Sequence, residues 1–336
     1  MKYPCLLLLL FCFTSLSAQT KAPIPKVDGD WWRIATTPDL GQYNSDKVEP
    51  VDFGIWQAAD GTWQVWSCIR GSKFPGSPRT TRFLYGWEGK ALTDKNWAEQ
   101  GIKWVAEPSL GETPGGMQAP YVFKEDGFYY LFYGDWQRIC LAKGMDGKNF
   151  ERVLGGNGQP DLFAEHGYVS KFRKEGDPLF ESYARDPMVI KRGNTYYCYY
   201  TSHITDPIND GAAFCRTSVN MKDWSESVIV SHTPPYNYNS PHNYNSPRYS
   251  DECPHVVYLP EHDLYYLFVT QTYGKKSQTT VYASSNPMYF GIDDDSRKIC
   301  TLPIAAPEVV LHEGQYYLVA LTDELDGIRM ARLKWE

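Results

Sequence analysis

Residues 184–200 read ARDPMVIKRGNTYYCYY, which predicts two short strands joined by a tight turn. Asp186 and Pro187 form a turn into an apolar strand, and a Gly-Asn pair then turns the chain into an aromatic strand. The same pattern of entry turn, apolar strand and aromatic strand recurs in four other places. Their entry segments read VDFGI at 51–55, QAPYV at 118–122, ECPHVV at 252–257 and AAPEV at 305–309.

The five copies follow a regular spacing. The proline position of the pattern falls at residues 53, 120, 187, 254 and 307, with Phe53 in the first copy, so the steps are 67, 67, 67 and 53 residues. A fixed period with about four strands per unit is typical of a β-propeller. The alternative is a tyrosine-rich β-sandwich, but sandwich strands have no reason to recur at a fixed step. The sequence therefore predicts an all-β, five-bladed β-propeller.

The last repeat is short, with room for only three strands before Glu336. Residues 31–35 read WWRIA and form an isolated strand-like segment in a polar, proline-rich region. We expect this N-terminal strand to be the outer strand of the last blade, beside residues 328–333, and to close the ring. Closure would remove sheet edges that otherwise invite aggregation.

The first residues have the form of an export signal. Lys2 precedes an apolar core at 6–13 and small residues at 17–18. The core is too short to span a bilayer, and no other run is apolar enough for a membrane helix. We therefore expect a signal peptide at 1–18 and a single catalytic propeller domain at 19–336, secreted or periplasmic.

The composition favours a carbohydrate partner over nucleic acid. Aromatic residues make up 15% of the chain, with 25 Tyr and 11 Trp, which suits stacked sheets and a site that holds sugars. The net charge is −7, and the absence of a Lys/Arg run argues against nucleic-acid binding. The cysteines match no zinc motif, and both disulfides and buried thiols stay open. The sequence also leaves the oligomeric state open.

Two features of each repeat concern packing and the position of the site. A turn followed by an aromatic residue ends each unit, and these aromatics should pack between blades. They are Trp97, Phe150, Trp224 and Phe290.

Most long loops, including 234–248, lead into first strands or join second to third strands, so they should share the face that carries the site.

Three acidic residues occupy the entry turns of blades 1, 3 and 4. Asp52 and Asp186 precede the proline position directly, and Glu252 stands one residue earlier in its repeat. Because first strands line the channel of a propeller, their entry ends should meet at one mouth. Neighbouring carboxylates raise one another's pKa, which keeps one protonated while another stays ionised. Cleavage of a glycosidic bond requires that division of roles.

Other interpretations of these carboxylates stay open. An Asp before a proline often caps a turn. A structural calcium ion in the channel would use the same oxygen atoms, and we expect no other cofactor. Their occurrence at corresponding positions of three repeats nevertheless favours catalysis over three separate structural roles.

The entry turns resemble motifs of the five-bladed β-propeller glycoside hydrolases of families 43 and 32. Residues 185–187 (RDP) resemble the Arg-Asp-Pro motif of the family 32 fructosidases, whose Asp holds substrate hydroxyls. Residues 252–254 (ECP) resemble their Glu-Cys motif, whose Glu is the general acid, and family 43 has a similar Glu-x-Pro. The resemblance implies that Asp52 is base or nucleophile, that Asp186 orients substrate and tunes the pKa, and that Glu252 is the acid.

Blade 1 departs from the family 32 pattern. Family 32 has Asn-Asp-Pro-Asn-Gly in its tight nucleophile turn, whereas this chain has VDFGI at 51–55 and keeps only the Asp. Family 43 enzymes need only an Asp at that strand entry to activate water. We therefore expect an inverting hydrolase of a furanoside or related glycan, with Asp52 and Glu252 about 6.5–9.5 Å apart rather than about 5–5.5 Å.

Six further residues are candidates for substrate binding: Arg185, Gln118, Trp136, Arg70, Trp56 and His255. Arg185 could hold a sugar hydroxyl or keep a carboxylate ionised, and Gln118 fills its position in blade 2. Trp136 could stack on a sugar ring or pack in the core. Arg70 and Trp56 lie on or near first strands and top loops, whereas His255 could reach the channel or be structural.

Two other functions compete with a hydrolase. The first is a non-catalytic carbohydrate-binding propeller, which the altered motif of blade 1 favours. A glycoside phosphorylase is the other, but it needs a cationic phosphate pocket, and the sequence shows only scattered arginines.

Overall fold

The computed structural model describes residues 22–76, 81–165, 183–203, 211–233 and 251–336. These residues form five small sheets arranged as a five-bladed β-propeller, so the predicted fold class is confirmed. The predicted signal peptide at 1–18 and the loop at 234–248 lie outside the described residues. In the described part of the chain, no helix is long and apolar enough to cross a membrane.

Blades 1 and 2 follow the order of the chain. Blade 1 consists of β2 (Glu49–Gln57), β3 (Trp63–Arg70), β4 (Phe83–Gly89) and β5 (Ala98–Trp104). Blade 2 consists of β6 (Pro120–Glu125), β7 (Phe128–Gly134) and β8 (Arg138–Gly144), with β9 (Glu151–Arg152) and β10 (Asp161–Ala164) both paired with β8.

Blades 3 and 4 are joined by a short parallel pairing. Blade 3 consists of β11 (Arg185–Arg192), β12 (Thr195–His203), β13 (Gly211–Ser218) and β14 (Val228–His232). Blade 4 consists of β15 (Glu252–Leu259), β16 (Leu264–Thr272), β17 (Gln278–Ser284) and β19 (Lys298–Leu302). Strand β18 (Gly291–Ile292), from the loop of blade 4, pairs in parallel with β14.

Blade 5 combines the two ends of the described chain. Its strands are β20 (Glu308–His312), β21 (Gln315–Leu321), β22 (Gly327–Trp335) and, outermost, β1 (Pro25–Thr36). Strands β1 and β22 pair antiparallel, with Trp32 opposite Met330 and Ala35 opposite Ile328. Residues 31–35 thus pair with the last strand, whereas closure of the ring by this strand stays a prediction. Short 3-10 turns occur at Gly41–Tyr43, Pro108–Leu110 and Gly274–Lys276.

Aromatic residues at the ends of the units contact the preceding blade. Phe150 of blade 2 meets Trp56 and Trp66 of blade 1 edge to face, at ring-centroid distances of 6.3 and 5.4 Å. Such aromatic pairs add stabilisation beyond the area that they bury. The same contact occurs between Trp224 and Phe132 and between Phe290 and Tyr199.

The entries to four first strands share an unusual backbone conformation. The φ angle is 38° at Asp52, 56° at Asp186, 50° at Cys253 and 47° at Ala306, a region that residues other than glycine seldom adopt. In blades 1, 3 and 4 this residue coincides with a register shift between the first and second strands. A bulge of this kind redirects a side chain. Because Ala306 has the same positive φ and carries no functional group, this backbone conformation belongs to the architecture and does not depend on an acidic side chain.

Gly54 lies on β2 at a close approach between blades 1 and 2. A Cβ atom added there would lie 2.5 Å from the carbonyl oxygen of Pro120. Since backbone on both sides of this contact would have to shift, alanine should overpack the interface between the two blades.

We predict that Gly54→Ala lowers the free energy of unfolding by about 1–3 kcal/mol. Gly156→Ala is the control, because a methyl group there meets no heavy atom within 4 Å and should change stability by less than about 0.5 kcal/mol. Urea unfolding followed by tryptophan fluorescence measures both effects. Equal midpoints for the two variants would contradict the prediction.

Candidate active site

All five first-strand entries line one cavity on the axis of the propeller. Each blade contributes the residues around its proline position, including Asp52, Asp186, Cys253, His255 and Glu308. The cavity measures about 30 Å³, whereas pockets for small ligands typically exceed about 300 Å³. The cavity itself is therefore too small to enclose a ligand of that size.

Asp52 of blade 1 is joined to two residues of blade 4. Its Oδ1 accepts hydrogen bonds from the Cys253 thiol and from the Tyr273 hydroxyl, both at 3.3 Å. The Cys253 sulfur and the Tyr273 oxygen are themselves 3.2 Å apart. Burial, followed by the negative charge of Asp52 and its neighbours, raises the pKa of Tyr273 well above its ordinary value, so Tyr273 is a neutral donor to Asp52.

Asp186 of blade 3 is almost completely buried. Its Oδ2 accepts hydrogen bonds from the Thr201 hydroxyl at 2.8 Å and from the backbone N–H of Cys253 at 3.3 Å. The pKa of Asp186 is raised to about 6: burial is the largest cause, the positive charge of Arg185 opposes it, and the charges of Asp52 and Glu252 add to it. Asp186 can therefore hold a proton at mildly acidic pH.

Arg185 connects two of the three acidic residues. Its Nη2 donates a short hydrogen bond to Glu252 Oε1, and its Nε lies 3.6 Å from Asp186 Oδ2. Burial opposes the charge of Arg185, but Glu252, Tyr183 and Asp186 raise its pKa well above the ordinary value. The Glu252 side chain is 22% exposed, whereas that of Asp186 is 2% exposed, so Glu252 is the acid more open to a ligand.

The structure thus brings Asp52, Asp186 and Glu252 into one electrostatic neighbourhood. Each of the three raises the pKa of the Tyr273 hydroxyl, after the larger effect of burial. Their catalytic roles stay predictions, as does the spacing of about 6.5–9.5 Å expected between Asp52 and Glu252.

Trp136, Gln118 and Arg70 lie around this group. The guanidinium carbon of Arg82 lies 4.7 Å from the Trp136 ring centroid, and that of Arg185 lies 5.5 Å away. Gln118 is buried, and its Oε1 accepts a hydrogen bond from Arg82 Nη1 at 2.6 Å. Arg70 forms an ion pair with Glu49 at 2.7 Å. Trp136 therefore faces guanidinium groups, and sugar stacking on it stays a prediction.

Trp56 lies apart from the other candidates, whereas His255 lines the axial cavity with Asp52 and Asp186. Trp56 packs between blades 1 and 2, and its Nε1 donates to the Gly147 carbonyl at 2.7 Å. It does not line the axial cavity, so the structure supports a packing role for it. His255 lines the cavity, where its Nε2 accepts from the Val309 backbone N–H at 3.0 Å. Burial lowers the pKa of His255 to about 4, which leaves it uncharged near neutral pH.

The sequence did not single out Arg82, Tyr183, Tyr273 or Glu308 as site residues. Arg82 and Tyr273 lie near strand ends that come together only through the blade arrangement. Glu308 directly follows the last proline position, so the repeat itself was a signal for it. Burial raises the pKa of Glu308 well above its ordinary value, and its Oε2 accepts from the Ile55 backbone N–H at 3.2 Å.

All six cysteines in the described part of the chain are free thiols. Of the two alternatives left open by the sequence, the structure therefore has thiols and not disulfides. Burial, followed by the nearby negative charges, raises the pKa of Cys253 well above its ordinary value, so this thiol acts as a hydrogen-bond donor.

A calcium ion in the channel stays a prediction. The closest group of ligand types comprises Asp52, Asp186 and Cys253, with one donor atom of each within 4.8 Å of the others. Two carboxylates suit calcium, but a thiol is a soft ligand that calcium does not favour. This donor set therefore fits calcium poorly.

We predict that Asp186→Asn flattens the dependence of stability on pH. A buried carboxyl whose pKa is about 6 adds to the free energy of unfolding while it is protonated. The wild type loses this stabilisation as the pH rises from about 4 through about 6. The melting temperature of Asp186→Asn minus that of the wild type should therefore increase across this window.

The exposed variant Asp223→Asn is the control, since it removes the same charge from a surface loop. This variant keeps the buried carboxyl of Asp186, so it should retain the loss of stability that Asp186 causes in the wild type as the pH rises through about 6. A constant difference between Asp186→Asn and the wild type would show that Asp186 does not titrate in this range.

Comparisons with known proteins find similarity only among solved structures. No family model and no curated protein matches the chain. A thermostable family-43 glycoside hydrolase is 14% identical, with a TM-score of 0.57, over 87% of this chain and 90% of the other. An endo-arabinase from Bacteroides thetaiotaomicron VPI-5482 is 11% identical, with a TM-score of 0.60, over 90% and 96%.

The GH43_1 enzyme from Xanthomonas citri, solved with xylotriose, is 16% identical, with a TM-score of 0.54, over 89% of this chain and 90% of the other. Identities this low establish shared architecture and leave the activity to be argued from the site. The chain is therefore similar in fold, over nearly its whole described length, to solved glycoside hydrolases of family 43.

Proposed function

We propose that this protein is a glycoside hydrolase that cleaves a furanoside or related linkage in an oligo- or polysaccharide. One observation supports the proposal: Asp52 and Asp186 line the same axial cavity, and Arg185 connects Asp186 with Glu252. The likeness in fold to family-43 glycoside hydrolases supports the same conclusion.

Asp52 is suited to act as the base that activates water. Its Oδ1 is held by Cys253 and Tyr273. Its Oδ2 has no hydrogen-bond partner among the described residues, so this oxygen is available to a water molecule. Two neutral donors on one oxygen fix the orientation of the carboxylate without neutralising its charge.

Glu252 is the proposed proton donor to the leaving oxygen. It is more exposed than Asp186, and its contact with Arg185 fixes its orientation at the mouth. Asp186 is too deeply buried to attack a sugar, so its proposed role is to orient substrate and to tune its charged neighbours. The two reacting carboxyl groups then flank the bond, one on each side, as glycoside hydrolysis requires.

The proposed stereochemical outcome is inversion. Blade 1 lacks the turn in which retaining family 32 enzymes hold a nucleophile, and Asp52 offers only a carboxylate beside the channel. An inverting enzyme needs space for water between its base and the sugar. We also propose that the chain is exported, on the basis of the signal-like residues 1–18.

We predict that the full chain releases sugar from at least one member of a panel of plant and microbial glycans. Asp52→Asn and Glu252→Gln should each lower the rate by about 10²- to 10⁴-fold, the usual contribution of a general acid or base. Glu261→Gln, on an exposed turn, is the control and should keep the wild-type rate. A non-catalytic binding propeller would bind glycans without releasing sugar.

Adding inorganic phosphate to the same assay separates hydrolysis from phosphorolysis. A hydrolase cleaves at the same rate without phosphate, whereas a phosphorylase requires it and releases a sugar phosphate.

We predict that the first sugar released has the opposite anomeric configuration to the substrate. Proton NMR recorded within the first turnovers reports the anomer before mutarotation. A product with the configuration of the substrate, or a sugar ester trapped on Asp52, would identify a retaining mechanism instead.

A further inference from the structure

Arg82 is a cation beside the candidate active site, and none of the described residues is an acidic partner for it. Its guanidinium lies over Trp136, and its polar contacts are Gln118 Oε1 at 2.6 Å and the Cys68 sulfur at 3.9 Å. No carboxylate lies within ion-pair distance of Arg82 among the residues that the structure describes. A guanidinium has five N–H donors, so most of those of Arg82 are left for another acceptor.

A second guanidinium lies on the same indole ring. Arg185 is 5.5 Å from the Trp136 centroid and 5.1 Å from the Tyr183 centroid. Arg185 is 6% exposed, and its Nε has no hydrogen-bond partner, although Nη2 donates to Glu252. Two arginines of different blades therefore converge on Trp136, and only one of them has carboxylates beside it.

This arrangement differs from that of Arg70, the third arginine near the site. Arg70 forms an ion pair with Glu49, so its charge is already balanced within blade 1. Arg82 is partly buried, and partly buried charge is costly unless an opposite charge or strong acceptor accompanies it. Since no described carboxylate balances Arg82, an oxyanion of a ligand would supply the opposite charge.

We propose that Arg82 and Arg185, which both lie against Trp136, form a site for an oxyanion carried by the ligand. The planar fork of arginine matches carboxylate and phosphate groups with two parallel hydrogen bonds. In the setting of the proposed hydrolase, on which this inference rests, the oxyanion is the carboxylate of a uronic acid unit in the glycan. Because Arg185 also contacts Glu252, that unit lies next to the bond that is cleaved.

Free inorganic phosphate is the other source of such an oxyanion. Binding experiments on the full chain separate the two sources, and they do not depend on catalysis. Isothermal titration calorimetry would use glucuronic and galacturonic acids, disaccharides that contain them, the matching neutral sugars and inorganic phosphate. Binding of the uronic sugars in preference to the neutral sugars, and more weakly at high salt, is the expected result.

The variants Arg82→Gln and Arg192→Gln form a matched pair. Arg192 also lies on an aromatic ring, 3.5 Å from the Tyr258 centroid, but at the opposite end of β11, about 20 Å from Arg185. Arg82→Gln should weaken uronate binding by about ten- to a hundredfold, whereas Arg192→Gln should leave it unchanged. Arg82→Lys keeps the positive charge but loses the planar guanidinium with its parallel N–H donors. Its affinity for uronate should therefore lie between those of Arg82→Gln and Arg192→Gln.

The outcomes distinguish this inference from the proposed hydrolase. Arg82-dependent binding of a uronic sugar supports the inference even if no glycan is cleaved. Arg82-dependent binding of phosphate alone supports the oxyanion site and assigns its ligand as phosphate. Equal binding of neutral and uronic sugars, an unchanged affinity in Arg82→Gln, or no binding of either anion would overturn the inference while hydrolysis of neutral glycans could still stand.

Discussion

Convergence of the first strands on one axis is the constraint on which the site depends. Each blade presents the entry of its inner strand to the same narrow cavity, so residues far apart in the chain become neighbours. The backbone bulge with positive φ at Asp52, Asp186 and Cys253 directs these side chains towards one another. Ala306 has the same backbone conformation, which means that the fold supplies the geometry and the residue supplies the chemistry.

The convergence of acidic groups has an electrostatic cost, which Arg185 offsets only in part. Several acidic groups in a small, poorly hydrated region repel one another, and removing them from water adds a further cost. Arg185 offsets this by contacting Glu252 and approaching Asp186. Asp186 still has a raised pKa, because its burial outweighs the charge of Arg185. A site with carboxyl groups in such different surroundings can separate the roles of acid and base.

The arginines near the site bear on the alternative that the protein is a glycoside phosphorylase, which needs a cationic pocket for phosphate. The arginines looked scattered in the sequence, since Arg82 and Arg185 belong to different blades. In the structure both lie against Trp136, while Arg70 is paired with Glu49. The candidate site therefore combines the acidic groups proposed to act in bond cleavage with a guanidinium, that of Arg82, for which the described residues supply few acceptors. This combination suits a ligand that carries negative charge.

The fold could be predicted because repetition leaves a direct mark on the sequence. Each blade needs the same entry turn and the same aromatic second strand, and blades of equal size repeat at a constant step of 67 residues. Asp52, Asp186 and Glu252 were proposed as site residues in the same way, since corresponding positions of a repeat should meet at corresponding places around the axis. Glu308 and Cys253 occupy such positions too, so the same argument extends to them.

The repeat alone determined the architecture, the blade from which each candidate came and the meeting of the acidic entry turns. Only the tertiary structure decided which way each side chain faces and which partner it meets. Trp56 and Trp136 both looked suited to a sugar, yet Trp56 packs between blades, whereas Trp136 lies at the site under Arg82. The physical reason is that periodicity specifies positions within a blade, whereas contacts such as Tyr273 with Asp52 depend on how different blades pack against one another.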